Sequence, residues 1–393
     1  MLQLVPAILV LGLAVTAQQS SARPLLSAAK PAGKHTALLS PLDVPWGQFG
    51  PAAKQAGSQA SGSDTINEDA SGLAPALAPG IINSIGEGFD PQFLTVTKDG
   101  KPFYLVTDVD FGVNVFLRAS FDLNDIYQDE SKKYTIHHYP NTTYPEGVGT
   151  EAADIVRYGD NFLYTVSAIA DDTMRLLISK TDDALGEYTD LGRILAQDGT
   201  PLKGYDPHVI VHPNGNSYLT WSNHEYVQIV QLQNGAPARA ASPIVDLVSY
   251  GVNTEAPSSW IFDNQANGSR TLNLVYAEGN YYQSNYNTRL LYIDVEEDPL
   301  DPSRWYQRAQ PILASDSSQG VYGPGSGSLF DGPDGNVWCA YGAFASRDGA
   351  DNGKNERYVR VQVAEADAKG VWLPTQVIRA QKLTETRPSE HQL

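Results

Sequence analysis

Four acidic residues hold the reactive chemistry that this chain's residue types allow: Asp90, Asp154, Asp206 and Glu255. They lie far apart along the polypeptide, yet each opens a segment of the same kind, and a fifth such segment opens at Ser326. Carboxylates forced together raise one another's pKa, which a structural core avoids and a catalytic site can use. A protonated carboxyl can donate to a leaving oxygen while an ionised one acts on water. Cleaving a glycosidic bond with inversion needs such a pair, held roughly 6.5–9.5 Å apart to admit the water, and a third carboxylate nearby keeps the acid protonated. A lone Asp-Pro often does no more than start a turn. Here Asp90-Pro91 and Asp206-Pro207 stand at the same place in two segments, which argues against that reading, and Glu255, before Ala256-Pro257, is hard to place as a solvated charge.

The segments that must bring these acids together form an internal repeat. Each opens on a polar or acidic residue, runs into an apolar strand, turns, and returns through an aromatic strand. The turns are Asp99-Gly100, Gly159-Asp160, Asn214-Gly215, Asn267-Gly268 and Asp334-Gly335. Asn-Gly and Asp-Gly favour tight hairpins because the central residues need positive φ. A third strand follows each hairpin, starting at Asn114, Met174, Tyr226, Thr288 and Tyr358, and successive units begin roughly 50 to 70 residues apart. A small antiparallel sheet cannot hide both faces alone, whereas five packed radially can. The expected fold is therefore all-β, a five-bladed β-propeller; a β-sandwich or a larger irregular β-domain is the alternative. In a propeller the innermost strands start near the axis, so Asp90, Asp154, Asp206, Glu255 and Ser326 would face one funnel, with loops over 119–144 and 279–287 around it.

Bulk properties narrow the partners. Residues Leu4–Ala17 form an apolar run that reads as a signal peptide, giving 1–17, and residues 18–78, rich in Ala, Ser, Gly and Pro, read as a leader or propeptide. The propeller is assigned to 79–380 and a tail to 381–393. A secreted, extracellular protein is expected, and the sequons at Asn141 and Asn267 fit that. No later stretch is long and apolar enough to span a bilayer. With 27 basic against 45 acidic residues, the net charge of −18 repels phosphate backbones and anionic lipids. Neither nucleic acid nor a membrane is an expected partner; a neutral polysaccharide or oligosaccharide is, and the chain is expected to be monomeric. The single cysteine, Cys339, excludes an intrachain disulfide and reads as a buried small hydrophobe.

In order and spacing these residues resemble glycoside hydrolase family 43, most of all its exo-acting α-L-arabinofuranosidase branch, from about Gly88 to about Gly342. The resemblance is carried by Phe89-Asp90-Pro91, Tyr205-Asp206, Val252-Asn253-Thr254-Glu255-Ala256-Pro257, the run Asp298 to Trp305, and Gly320-Val-Tyr-Gly-Pro-Gly325. It implies an inverting glycosidase acting on arabinan or arabinoxylan, with Asp90 as general base, Glu255 as general acid, and Asp206 raising the pKa of Glu255 and orienting it. Phe89, Asp154, Tyr205, Trp221 and Ser326 are the candidate substrate contacts. Two departures stand out. Ser326 replaces the family's His after Gly-Pro-Gly, which counts against an axial calcium ion, and no cofactor is expected to be required. Glu151-Ala-Ala-Asp154 replaces Trp-Ala-Pro-Glu. A β-xylosidase, an endo-arabinanase and a catalytically silent carbohydrate-binding propeller remain alternatives.

Overall fold

A computed structural model describes residues 81–109, 112–139, 149–249, 253–264, 268–351, 357–378 and 380–381. The assigned signal peptide, leader, and Asn141 and Asn267 lie outside the described residues, as does the tail beyond Gln381. The described residues form a five-bladed β-propeller, with a single short α-helix, Arg347–Asp351.

Blade one is Phe93–Lys98, Lys101–Val109, Asn114–Ser120 and Lys133–His138; blade two is Thr150–Tyr158, Asn161–Ala168, Thr173–Ser179 and Tyr188–Arg193. Blade three is Tyr205–Val211, Ser217–Asn223 and Tyr226–Gln233, whose outer edge pairs with both Ala236–Ala240 and Val245–Ser249. Blade four is Thr254–Asn264, Ser269–Glu278, Asn287–Asp294 and Tyr306–Gln307. Every blade thus gains an outermost strand beyond the three legible in sequence. Part of 119–144, expected as loop, is blade one's outer strand. Blade five closes the ring: Tyr322–Asp331, Val337–Phe344 and Arg357–Val363 are completed by Gly86–Glu87, which precedes blade one in the chain. A second tie pairs Ile81–Ile82 with Ala380–Gln381.

The hairpins follow their turn chemistry. Asp99 and Gly100 have φ of 53° and 72°, and Lys98 pairs directly with Lys101, the two-residue turn whose twist matches that of its strands.

The second strand of each blade is buried on both faces, because neighbouring blades cover it. Phe162 to Ala168 is buried without a break, as is Trp338 to Phe344. These strands therefore read as continuous apolar runs instead of alternating ones. Five hydrophobic clusters fill the five seams. Phe103, Leu117, Ile155 and Tyr164 join blades one and two. Leu163, Met174, Leu219 and Trp221 join two and three, and Ile229, Tyr218, Leu272 and Ile293 join three and four. Val275, Leu290, Cys339 and Trp372 join four and five, and Phe93, Val106, Phe330 and Trp338 join five and one. Cys339 is fully buried, as expected.

Candidate active site

The inner strands share a defect at their starts. Register with the next strand slips between Glu151 and Ala153, Tyr205 and His208, Glu255 and Ser258, and Gly325 and Ser328. Within each slip one non-glycine residue takes a left-handed φ: Ala152 at 36°, Asp206 at 57°, Ala256 at 49° and Ser326 at 54°. Asp90, at 40°, does the same just ahead of blade one. Left-handed backbone costs a residue with a Cβ roughly 1–2 kcal/mol, and bulges of this kind re-aim side chains next to functional sites. One strained residue per blade, always at the same end of the inner strand, marks where the site lies.

A cavity of about 610 Å³ opens there, lined by Phe89, Asp90, Glu151, Tyr205, Asp206, His224, Asn253, Glu255, Tyr281 and Arg357. Its side chains stand in two tiers. Phe89, Glu151, Tyr205 and Glu255 each immediately precede the strained residue of their blade, and Gly325 holds that place in blade five. Asp90, Ala152, Asp206, Ala256 and Ser326 form the tier beneath. A Cβ on Gly325 would meet Cε1 of Tyr286 at 2.3 Å. The glycine therefore makes room for the Tyr286 ring, which takes the space of a blade-five side chain.

Three of the four acids are held by donors. Asp206 Oδ2 accepts from the Ala256 N–H at 2.7 Å, while its own N–H donates to Ser167 Oγ at 2.9 Å. Glu255 Oε2 is 2.8 Å from the Tyr286 hydroxyl, and Glu255 Oε1 accepts from Asn253 Nδ2. The Tyr286 oxygen is in turn 2.7 Å from Ser326 Oγ, and the Ser326 hydroxyl hydrogen-bonds Asp90. Tyr205 donates to Asn253 Oδ1 at 3.0 Å, tying blade three to the Glu255 support. Arg357, 1% exposed, stacks over Tyr286 at 5.2 Å and donates to the carbonyls of Gly325 and Gly342 at 3.2 and 2.8 Å.

All four acids titrate high. Burial pushes Glu255 up to about 7, helped by the charges of Asp90 and Glu151 and opposed by the Tyr286 hydroxyl and the Arg357 cation. Asp206 lies well above the usual carboxylate range, from burial first and then the charges of Asp90 and Glu255. Asp90 is raised by burial, while Arg357 and Ser326 pull it back. Glu151 is raised by burial and by Asp90. Four carboxyls around one cavity with a single guanidinium disfavour one another's ionisation, so their protons leave as a coupled set.

Of the residues singled out in sequence, Phe89, Asp90, Tyr205, Asp206 and Glu255 line the cavity together. Three others do not. Trp221 is fully buried in the seam between blades two and three, its Nε1 donating to the Lys203 carbonyl at 3.0 Å. It lies on a second strand, covered on both faces. The repeat places Asp154 opposite Asp90, but the strained residue of blade two is Ala152, so Asp154 falls one tier deeper. Its Oδ2 is 2.9 Å from His208 Nδ1, and both side chains are buried. Ser326, 2% exposed, supports Tyr286 and Asp90 from behind.

The cavity also takes Glu151, His224, Asn253, Tyr281 and Arg357, which sequence reasoning did not select as site residues, and Tyr286 behind them. Glu151-Ala152 repeats the Glu255-Ala256 pair of blade four, a signal that could have found it. Among the described residues no group of three or more His, Cys, Asp or Glu side chains could hold a metal ion. His208 is not free to ligate one, since Nδ1 faces Asp154 and Nε2 is 2.7 Å from Ser259 Oγ and accepts the Ser259 N–H at 3.0 Å.

Comparison with known proteins agrees with this architecture. The model of the glycosyl hydrolases family 43 matches residues 81–372. An α-L-arabinofuranosidase from Lactobacillus brevis is similar in structure, at TM-score 0.63 and 17% identity over 76% of this chain and 97% of that one. A xylan β-1,4-xylosidase from Bacillus halodurans superposes at TM-score 0.56 and 16% identity, covering 80% of this chain and 61% of the other. A search of the curated proteins gives no match. A five-bladed propeller with its acids gathered at one end of the inner strands, matched by the family model through every blade, has one reading: the chain belongs to glycosyl hydrolase family 43.

Proposed function

We propose that the chain hydrolyses terminal α-L-arabinofuranosyl linkages of arabinan or arabinoxylan by a single inverting displacement. The observation that carries this reading is the pairing of Glu255, raised to about 7 and held by Tyr286, with Asp90 in the same cavity. Glu255 stands in blade four and Asp90 precedes blade one, so a glycoside between them has one acid on each side. Glu255 protonates the leaving oxygen as the bond to the anomeric carbon breaks. Asp90 takes the proton of the water that attacks that carbon from the opposite face. Arg357 opposes the burial that raises Asp90 and so favours its ionised form.

Asp206 acts on Glu255 mainly by position. Its carboxylate is fixed to the N–H of Ala256, the residue next to Glu255, while the charges that raise Glu255 are those of Asp90 and Glu151. The test is hydrolysis of p-nitrophenyl α-L-arabinofuranoside and arabino-oligosaccharides. Release no greater than that of Glu255→Gln would sink the reading. Substrate preference rests on the motif resemblance. The second reading, a β-xylosidase, draws on the similar fold of the Bacillus halodurans xylosidase, and the paired xyloside assay separates the two. Binding without turnover on either substrate would favour a silent carbohydrate-binding propeller.

We further propose export of the chain as a glycosylated monomer, on the apolar run Leu4–Ala17 and the two sequons. N-terminal sequencing of secreted protein, endoglycosidase treatment and light scattering check these three points.

A further inference from the structure

Glu151 differs from the other acids of the cavity. Asp206 is met by a backbone N–H, Glu255 by Asn253 and Tyr286, and Asp90 by Ser326. Among the described residues the Glu151 carboxylate has no hydrogen-bond donor and no ion-pair partner, although it is half-buried in the cavity wall. Its oxygens open on the cavity, where the hydroxyls of a bound molecule can supply the donors that the protein does not. Its backbone is fixed by the blade-two bulge, so the side chain is aimed into the cavity and not left to a mobile loop. It occupies in blade two the tier position that Glu255 occupies in blade four, with Tyr205 of blade three between them. A group bound between Asp90 and Glu255 therefore presents its flank to Glu151.

We propose that Glu151 determines glycone specificity by accepting hydrogen bonds from two adjacent hydroxyls of a neutral sugar bound between Asp90 and Glu255. This rests on the sugar-cleaving reading of the same cavity. A planar carboxylate offers two oxygens, so a vicinal diol satisfies both in one contact. Removing or blocking one of those hydroxyls leaves a buried acceptor unpaired, which discriminates more strongly than loss of apolar contact. The preferred glycone then carries an unmodified vicinal diol. A uronic acid in its place would add a negative charge to a cavity already lined by Asp90, Glu151, Asp206 and Glu255.

The experiment is calorimetric binding, which needs no turnover. Methyl α-L-arabinofuranoside, methyl β-D-xylopyranoside and their 2-deoxy and 3-deoxy congeners are titrated into the full chain, into Glu151→Ala and into Glu151→Gln. Wild type should lose about tenfold or more in affinity when a contacted hydroxyl is removed. Glu151→Ala should bind the parent glycoside more weakly and barely distinguish it from the congener, and Glu151→Gln should fall between. That coupling between one side chain and one substrate hydroxyl is a readout that a purely structural role would not move. Equal deoxy penalties in wild type and Glu151→Ala, or none in wild type, would overturn the inference. Intact penalties without hydrolysis would overturn only the enzymatic reading, and failure to bind either glycoside would overturn both. Glu151→Gln guards against a fold defect in the alanine variant.

Discussion

Tyr286 holds Glu255 from a place that Gly325 leaves open: its hydroxyl lies 2.8 Å from Oε2 of the acid, and its ring fills the position a blade-five side chain would occupy. Because this bond favours the ionised carboxylate, it pulls Glu255 down against the burial that raises it. Tyr286→Phe should therefore raise the Glu255 pKa and move the alkaline limb of kcat/KM upward, by up to about one pH unit. Loss of the bond should also lower stability by about 1 kcal/mol. A limb that stays in place, measured on the arabinofuranoside, would contradict the assignment of Glu255 as the acid.

The wild-type pH profile follows from the same groups. The acid must be protonated, so kcat/KM should fall as pH rises through about 7, the value to which Glu255 is raised. The base must be ionised, and burial raises Asp90 above its ordinary 3.8, so the acidic limb should lie above that value. Activity should be confined to mildly acidic and neutral conditions.

Stability should carry the opposite signature of a normal salt-bridged carboxylate. The native state binds the Glu255 proton more tightly than the unfolded chain, since the pKa rises from 4.5 to about 7 on folding. Below the lower value both states are protonated and nothing is lost. Between the two values the unfolded chain ionises first, and stability falls as pH rises. Above the upper value the full cost stands, about 3 kcal/mol. Glu255→Gln does not titrate there, so its stability relative to wild type should grow by that order from pH 4 to pH 8 in urea melts. A constant difference would refute the buried, raised acid.

Asp154 gives a contrasting expectation. Its carboxylate meets buried His208 below the cavity. Ser259's N–H donates to Nε2, which leaves the imidazole proton on Nδ1, facing Asp154. Asp154→Ala should cost about 2–3 kcal/mol in stability, because it removes the carboxylate facing buried His208 Nδ1 and the acceptor of the Val209 N–H, while leaving KM for the arabinofuranoside unchanged. A selective rise in KM without loss of stability would place Asp154 in substrate contact after all.

Local chemistry explains what could be read from residue order. Asp-Gly and Asn-Gly turns, apolar runs and their fivefold recurrence are short-range features. They pointed to the hairpins, the five blades and the burial of Cys339, and with them Asp90, Asp206 and Glu255 as convergent acids. Several matters lay beyond that range. The strained bulge residue of blade two is Ala152, two positions before Asp154, so that Glu151 and not Asp154 reaches the cavity. Such a slip depends on pairing with the next strand, and only the Glu-Ala pair shared by blades two and four points to it in the sequence. Arg357 and Tyr286 come from a third strand and from the approach to one, and neither has a motif; Tyr286 reaches Glu255 within blade four, and Arg357 meets Asp90 only because the ring closes. The closure, Gly86–Glu87 against Arg357–Val363, joins residues about 270 positions apart. Sequence by itself determined that Asp90, Asp206 and Glu255 converge on one site. Tertiary structure decided which donors hold each one, which carboxylate is left without any, and how far burial lifts their pKa values, because desolvation and charge proximity exist only once the blades are packed.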